Sequence, residues 1–272
     1  MHPAYEIIDS AYFLQQYRFF TPAADLAEHV VYYWVLDLRA QRQQPKEAYS
    51  EVLMANINSS VVFNLGTPFE MCNKEGIPIH VCHKSVLISY HDTSVVYKHF
   101  KNNFLIGIKF KPASLPYLFG IKATAVFERL LTADYLFKNC TQLEALLYEA
   151  KGLQAIKQLL DHALRQHVAM VTIDREASYM VRFFEERSLE SGRYQLQHIA
   201  ASLYLTPRTL ERYFAHCFDI SPKRCLKILR FRKALTEYQR LGYKAPWEDL
   251  GYYDFSHFRK DLHHFLPTTI PS

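Results

Sequence analysis

Cysteine is scarce in this chain of 272 residues, and its five copies, Cys72, Cys82, Cys140, Cys217 and Cys225, are odd in number and scattered. That is a poor disulfide framework and fits a reducing compartment. No apolar run reaches the 18 residues that a membrane-spanning helix needs. The stretch from Met1 to Phe20 places Glu6, Asp9, Gln15, Gln16 and Arg18 among its apolar residues, so it lacks the uninterrupted apolar centre of a secretory signal. A cytoplasmic protein with no membrane partner is expected. Glycine is also sparse, with eight copies. None of them builds a GxxxxGK motif followed by Ser or Thr, a GxGxxG turn or a GxSxG elbow, which sets aside the common phosphate cradles and the strained serine nucleophile. The protein is therefore expected not to be an enzyme and to need no cofactor.

What the chain does have is the composition of a folded protein: 49% hydrophobic, 15% aromatic and 22% charged residues, far from the polar bias of disorder. The length favours two domains. Charge is divided unevenly. From Arg193 onward 13 Lys/Arg face 7 Asp/Glu, a local balance of +6, whereas the rest of the chain stands at −1. A basic C-terminal part suits a polyanionic partner, because neutralised phosphates release counterions.

Between Val30 and Pro112 short stretches rich in Val, Ile, Tyr and Phe are broken by Asn, Gly, Pro and Lys, as strands and turns require. In the cleanest of them Phe104, Ile106, Ile108 and Phe110 alternate with Leu105, Gly107 and Lys109, putting bulky groups on one strand face. Similar runs cover Val30 to Leu36, Val61 to Leu65, Ile77 to Cys82, Val86 to Tyr90 and Ser94 to Phe100. Six or more closely spaced strands predict an antiparallel β-barrel or sandwich of cupin-like form. After Pro112 the spacing becomes helical. Ile156, Leu159, Leu160, Ala163 and Leu164 form a stripe on a helix from about Leu153 to His167, packed against its own domain or, alternatively, serving as the seam of a homodimer. Asp174 can cap a helix carrying Met180, Val181, Phe183 and Phe184. The boundary is placed at Val168 to Thr172, giving an α+β chain: residues 1–170 as a β-rich sensor or regulatory domain with trailing helices, and residues 171–272 as an all-α domain.

From Gln195 the chain reads QLQHIAASLYLTPRTLERYFAHCFDISPKRCLKILRFRKAL. A helix carrying Leu196, Ile199, Ala200 and Leu203 ends in a tight connection at Tyr204 and Leu205. Thr206 then caps a second helix with Pro207 at its first position. Leu210, Tyr213 and Phe214 face inward, leaving Arg208, Thr209, Glu211 and Arg212 outside. That is the layout of a helix-turn-helix recognition helix. Ser221 and Pro222 repeat the cap and open a long connector helix whose polar side carries Lys223, Arg224, Lys227, Arg230, Arg232 and Lys233. Six bases spread round one helix cannot all face a phosphate backbone.

The segments LTPRTLERYF, ISPKRCLKILRFRKA and GYYDFSHFRKDLHHF together resemble the DNA-binding domain of the AraC family of transcription regulators, with two helix-turn-helix units joined by a long connector helix. The resemblance covers about 80 residues in order. It implies a sequence-specific regulator that reads the major groove of double-stranded DNA with two recognition helices and is controlled through its N-terminal domain. It places Arg208, Thr209 and Arg212 on the first recognition helix, and Ser256, His257, Arg259 and Lys260 on the second, which Asp254 could cap; among the connector's bases Lys227 is expected as a phosphate contact. This chain departs from the family in two ways: about four residues are missing where Leu250 abuts Gly251, and Pro267 replaces a Gly near the end. Losing roughly one helical turn is expected to leave the second unit with fewer apolar contacts and less protection than the first.

In the N-terminal part LAEHVVYYWVLD, VVFNLGTPF and LIGIKFKP resemble the β-rich sensor region that precedes this domain in one group of relatives. This implies a small-molecule or protein effector, with Trp34 and Asn64 as candidate pocket residues; core packing for Trp34 and a turn for Asn64 are the plainer readings. His80, Cys82, His83 and His91 could offer ligands to a metal, as in a cupin-type enzyme, but His83 would point away from His80 and Cys82 and no carboxylate has a matching spacing, so no metal is expected. Two further readings compete with the regulator: a protein-interaction module derived from a regulator with an impaired second unit, and a metal-dependent barrel enzyme with an accessory DNA-binding domain.

Overall fold

The alternating stretches fold into strands because every second side chain finds an apolar surface on each face. The computed structural model describes residues 17–39, 49–121, 130–168, 174–186 and 196–266. Its strands are β1 (Tyr17–Phe20), β2 (Val30–Asp37), β3 (Tyr49–Leu53), β4 (Ser60–Asn64), β5 (Phe69–Cys72), β6 (Pro78–Cys82), β7 (Val86–Ile88), β8 (Val95–His99), β9 (Phe104–Phe110) and β10 (Leu131–Thr132). They make two antiparallel sheets, one of six strands in the order β1-β2-β9-β4-β7-β10 and one of four in the order β3-β8-β5-β6. The six runs read from the sequence are β2, β4, β6, β7, β8 and β9. The strands not read are β1 and β10, which lie outside the Val30 to Pro112 stretch, and β3 and β5 within it.

Both faces of the six-stranded sheet are covered. Phe104, Ile106, Ile108 and Phe110 of β9 pack with Tyr33, Val35, Val61, Phe63 and Leu87 beneath helices α1 (Ser114–Phe119), α2 (Cys140–Glu149) and α3 (Leu153–Val168). On the other face Leu36, Val62, Val86, Ile88 and Leu105 meet Phe69, Met71, Val95 and Tyr97 of the four-stranded sheet. The second face of β9, with Leu105, Gly107 and Lys109, therefore lies between the sheets, and Lys109 is buried. The stripe on α3 packs against its own domain: Ile156, Leu160 and Leu164 are fully in the core, with Leu159 and Ala163 beside it. Asp161 fastens this helix to the sheet by accepting from Tyr33 Oη at 2.8 Å, from the Ala23 N–H at 3.1 Å and from Lys157 Nζ at 2.7 Å.

The expected boundary at Val168 to Thr172 falls, beyond Val168, outside the described residues. The helical part then contains α4 (Arg175–Glu186), α5 (Leu196–Ser202), α6 (Pro207–Phe218), α7 (Pro222–Leu241) and α8 (Phe255–Phe265). Among the described residues no helix is long and apolar enough to cross a membrane. Asp174 caps α4 as expected, accepting from the Ala177 N–H at 2.9 Å. The helical core continues into the β-domain, which helical periodicity does not mark: Met54, Ala55, Ile57, Tyr90 and Ala113 belong to the same buried cluster as Phe183, Phe214, Phe231, Phe258 and Phe265. Polar links reinforce this joint. Arg232 Nη1 donates to Ala55 O at 3.1 Å, the Ser94 N–H to Phe265 O at 3.0 Å, and Arg224 Nη2 lies 3.0 Å from Asp92 Oδ2.

Candidate nucleic-acid interface

The start of α6 is fixed locally. Thr206 Oγ1 accepts from the Thr209 N–H at 3.1 Å, and Pro207 occupies the first turn, where a missing N–H costs nothing. Leu210, Tyr213, Phe214, Cys217 and Phe218 bury one face of the helix. Arg208 and Arg212 stand exposed on the other. Among the described residues Arg208 has no ion-pair partner. Arg212 is two-thirds exposed, with Nη2 3.2 Å from Glu176 Oε1 on α4. Thr209 is half-buried, its hydroxyl 2.9 Å from that of Thr206. The expected outer face therefore forms, but Thr209 is committed to the cap.

The turn ahead of α6 has its own geometry. The Leu205 N–H reaches back to Ala200 O at 2.9 Å and the Tyr204 N–H to Ala201 O at 3.0 Å. This pair of bonds closes α5 through a left-handed residue, here Tyr204 with φ +56°. The second unit repeats it: Tyr252 bonds to Trp247 O at 2.8 Å and Gly251 to Glu248 O at 3.0 Å, with Gly251 at φ +81°. Residues 247–251 thus form a single capped turn rather than a helix.

The packing around this shortened segment is aromatic. Trp247 stacks on Phe258 at 4.9 Å and meets Phe255 at 5.6 Å, and Phe231 stacks on Phe265 at 4.6 Å. Leu250, Tyr252, Phe258 and Phe265 are buried. Asp254 caps α8, accepting from the His257 N–H at 2.7 Å. Ser256, Arg259 and Lys260 are exposed. His257 is half-buried against Tyr252, its Nδ1 accepting from the Tyr253 N–H at 3.3 Å.

Several connector bases face the protein. Asp261, buried on α8, accepts from Lys227 Nζ at 2.9 Å, Arg230 Nη2 at 3.0 Å and Tyr252 Oη at 3.0 Å. Burial alone would push the Asp261 carboxyl up, but Lys227, Arg230 and Tyr252 outweigh it and hold the group below its ordinary value. Lys227, read from the sequence as a phosphate contact, is placed here as an anchor between α7 and α8. Arg224 bridges Asp92 and His264, and Arg232 is buried. Asp261 gave no sequence signal beyond lying one turn from Phe258 and Phe265 on their buried side.

Between the sheets lies a cavity of about 60 Å³ walled by Tyr17, Phe19, Tyr32, Trp34, Phe69 and Tyr97, room for a few waters or a very small molecule. Buried Glu51 accepts there from Tyr17 Oη at 3.1 Å and lies 2.8 Å from His99 Nε2; burial raises its carboxyl despite His99. Lys109 also lines the cavity, its Nζ 3.5 Å from Asn56 Oδ1. Trp34 is thus a lining residue, its indole lying where a side chain at Gly107 would be: a Cβ there would fall 1.9 Å from Trp34 Cε2. Asn64 is not part of the cavity. It holds a turn, accepting from the Gly66 N–H at 3.2 Å and donating to Cys82 O at 2.9 Å. Glu51 and His99, 48 residues apart, carry no joint sequence signal. Of the residues weighed for metal binding, Cys82 is in the core, His83 is exposed, and His91 sits 3.4 Å from Tyr97 Oη. Among the described residues no three His, Cys, Asp or Glu side chains are grouped to hold a metal ion.

Residues 18–131 match the model of a domain of unknown function (DUF6597). No curated protein matches the chain. Among solved structures the chain is similar to ToxT from Vibrio cholerae, with 8% identity over 93% of this chain and 94% of that one and a TM-score of 0.43. A form of ToxT with a bound unsaturated fatty acid aligns over 83% of this chain and 94% of its own, at 9% identity and a TM-score of 0.43. The AraC-like transcriptional activator CuxR aligns over 84% of this chain and 89% of its own, at 12% identity and a TM-score of 0.26.

Proposed function

We propose that this protein is a sequence-specific DNA-binding transcription regulator, not an enzyme. Its helix α6 enters the major groove of double-stranded DNA, α8 serves as a second reading helix, and the N-terminal domain holds a small effector in the cavity between its sheets. The observation that carries the reading is the outer face of α6. Arg208 and Arg212 lie four residues apart on one side of a helix whose other side is locked by Leu210, Tyr213 and Phe214, so both guanidinium groups are presented together. An arginine can bond a guanine edge through two N–H groups, and losing such a pair costs about 1 to 3 kcal/mol at that base. Ser256, Arg259 and Lys260 offer a corresponding polar face on α8. The walls of Tyr17, Phe19, Tyr32, Trp34 and Tyr97 and the polar groups of Glu51, His99 and Lys109 suit a small ligand with both apolar and hydrogen-bonding parts.

The test is a set of affinities for a selected site and a scrambled one, at several salt concentrations, for the parent, Arg208→Ala, Arg212→Ala and Arg259→Ala. At least one of the first two substitutions is expected to abolish site preference. If both keep the parent's specificity ratio, α6 is not the reader. A parent protein that binds neither DNA would overturn the regulator reading itself.

A further inference from the structure

The C-terminal domain and the N-terminal domain leave different large side chains in solvent. Among the described residues the N-terminal domain exposes Ile77, Ile79, Val81, Leu146 and Leu153 as well as tyrosines, whereas the large apolar side chains exposed by the C-terminal domain are all tyrosines: Tyr204, Tyr243 and Tyr253. Two of these immediately precede the recognition helices. Tyr204, 98% exposed, stands two residues before the cap of α6, and Tyr253, 83% exposed, directly before the cap of α8.

Tyr204 is the more informative because its backbone is in the left-handed region, φ +56°, which strongly favours glycine. The chain supplies its own control: the same closing turn in the second unit uses Gly251 at φ +81°. A tyrosine at this position strains the turn, and with a ring 98% in water it returns no packing to the fold. The ring is therefore available to something outside the chain. An apolar protein surface would be met as well by Leu or Phe. A side chain that unites a flat apolar ring with a hydroxyl donor suits the sugar and phosphate of a DNA strand, where hydroxyl donors fix position without reading sequence.

We infer that Tyr204, and Tyr253 in the second unit, are DNA-backbone contacts that seat each recognition helix, the tyrosine hydroxyl donating to a phosphate oxygen. This rests on the DNA-binding reading above. It has a distinctive signature: a neutral donor displaces no condensed counterion, so its loss should weaken all sequences alike and leave the slope of affinity against salt unchanged, unlike the loss of a lysine or arginine contact.

The experiment measures binding of full-length parent, Tyr204→Gly, Tyr204→Asn, Tyr204→Phe and Tyr253→Ser to the selected and scrambled DNA over a salt series, with melting temperatures alongside. Tyr204→Gly should melt higher than the parent, because glycine relaxes the turn. It should bind both DNAs about tenfold more weakly, the equivalent of one hydrogen bond to a charged group, with an unchanged salt slope. Tyr204→Asn, which tolerates the left-handed region, should behave likewise in binding, and Tyr204→Phe should show most of the loss. Tyr253→Ser should also weaken both DNAs equally. Binding by Tyr204→Gly and Tyr204→Asn within twofold of the parent overturns the inference, as does a loss confined to the selected site, which would mark a base contact. A parent that binds neither DNA defeats the regulator reading instead, so the two failures are distinguishable.

Discussion

Substitution of Asp261 by alanine should destabilise the packing of α8 on α7 by about 3 kcal/mol. The carboxylate is 5% exposed and is the meeting point of Lys227, Arg230 and Tyr252. Removing one member of a fully buried ion pair costs about 3 to 5 kcal/mol, because the partner charge is left unpaired. Here the lysine and arginine side chains retain 33% and 23% of their exposure and can be partly rehydrated, which points to the lower end. Lys227→Met keeps the apolar stem and removes one of three donors, and should cost only about 1 kcal/mol. The sign of the pH dependence follows from the carboxyl being held below its ordinary value. Its contribution is complete above the ordinary carboxylate range and is lost as pH falls through the lower folded value, so the gap between parent and Asp261→Ala should narrow in acid. Urea unfolding can be read through Trp247, which stacks on Phe258 one turn from Asp261; Trp34→Phe removes the other of the two tryptophans. With a slope of about 2 kcal/mol per molar urea, the midpoint should fall by roughly 1.5 M. A loss under about 1 kcal/mol at neutral pH, or a gap that does not change with pH, would refute the role given to this carboxylate.

Two further substitutions examine the cavity and the domain joint. Gly107→Ala would drive a methyl group into the Trp34 indole and should destabilise the N-terminal domain by about 1 to 3 kcal/mol while shifting Trp34 emission; a variant as stable as the parent with the same emission would show that the indole is free to move aside. Arg224→Ala removes the bridge to Asp92 and His264 and should cost less than about 1 kcal/mol, since Arg224 and Asp92 are both partly exposed. It should nevertheless speed exchange of the Ser94 amide, which bonds to Phe265 O, and unchanged exchange would mean that the apolar joint alone holds the domains.

Much of the architecture was legible in the sequence because its signals are local. The alternation in Phe104 to Phe110, the caps Thr206, Ser221 and Asp254, and the Pro207 and Pro222 positions each depend on residues a few places apart, and strand, cap and helix start form where those patterns lie. The outer face of α6, with Arg208 and Arg212, follows from the same spacing. Helical periodicity also marked the face of α3 that is buried, and left open what buries it; the fold supplies its own sheet.

The tertiary structure decided what depends on distant residues meeting. Lys227 looks the same in the sequence whether it faces a phosphate or a carboxylate, and only the approach of α8 puts Asp261 within 2.9 Å of it. Glu51 and His99 become a pair because β3 lies beside β8. Trp34 faces a cavity because Gly107, its neighbour across the strands, leaves the space. The core shared by Ala55, Tyr90, Phe231 and Phe265 joins segments with no common periodicity. Local pattern assigns each residue a face; only packing in three dimensions determines which group is on the other side.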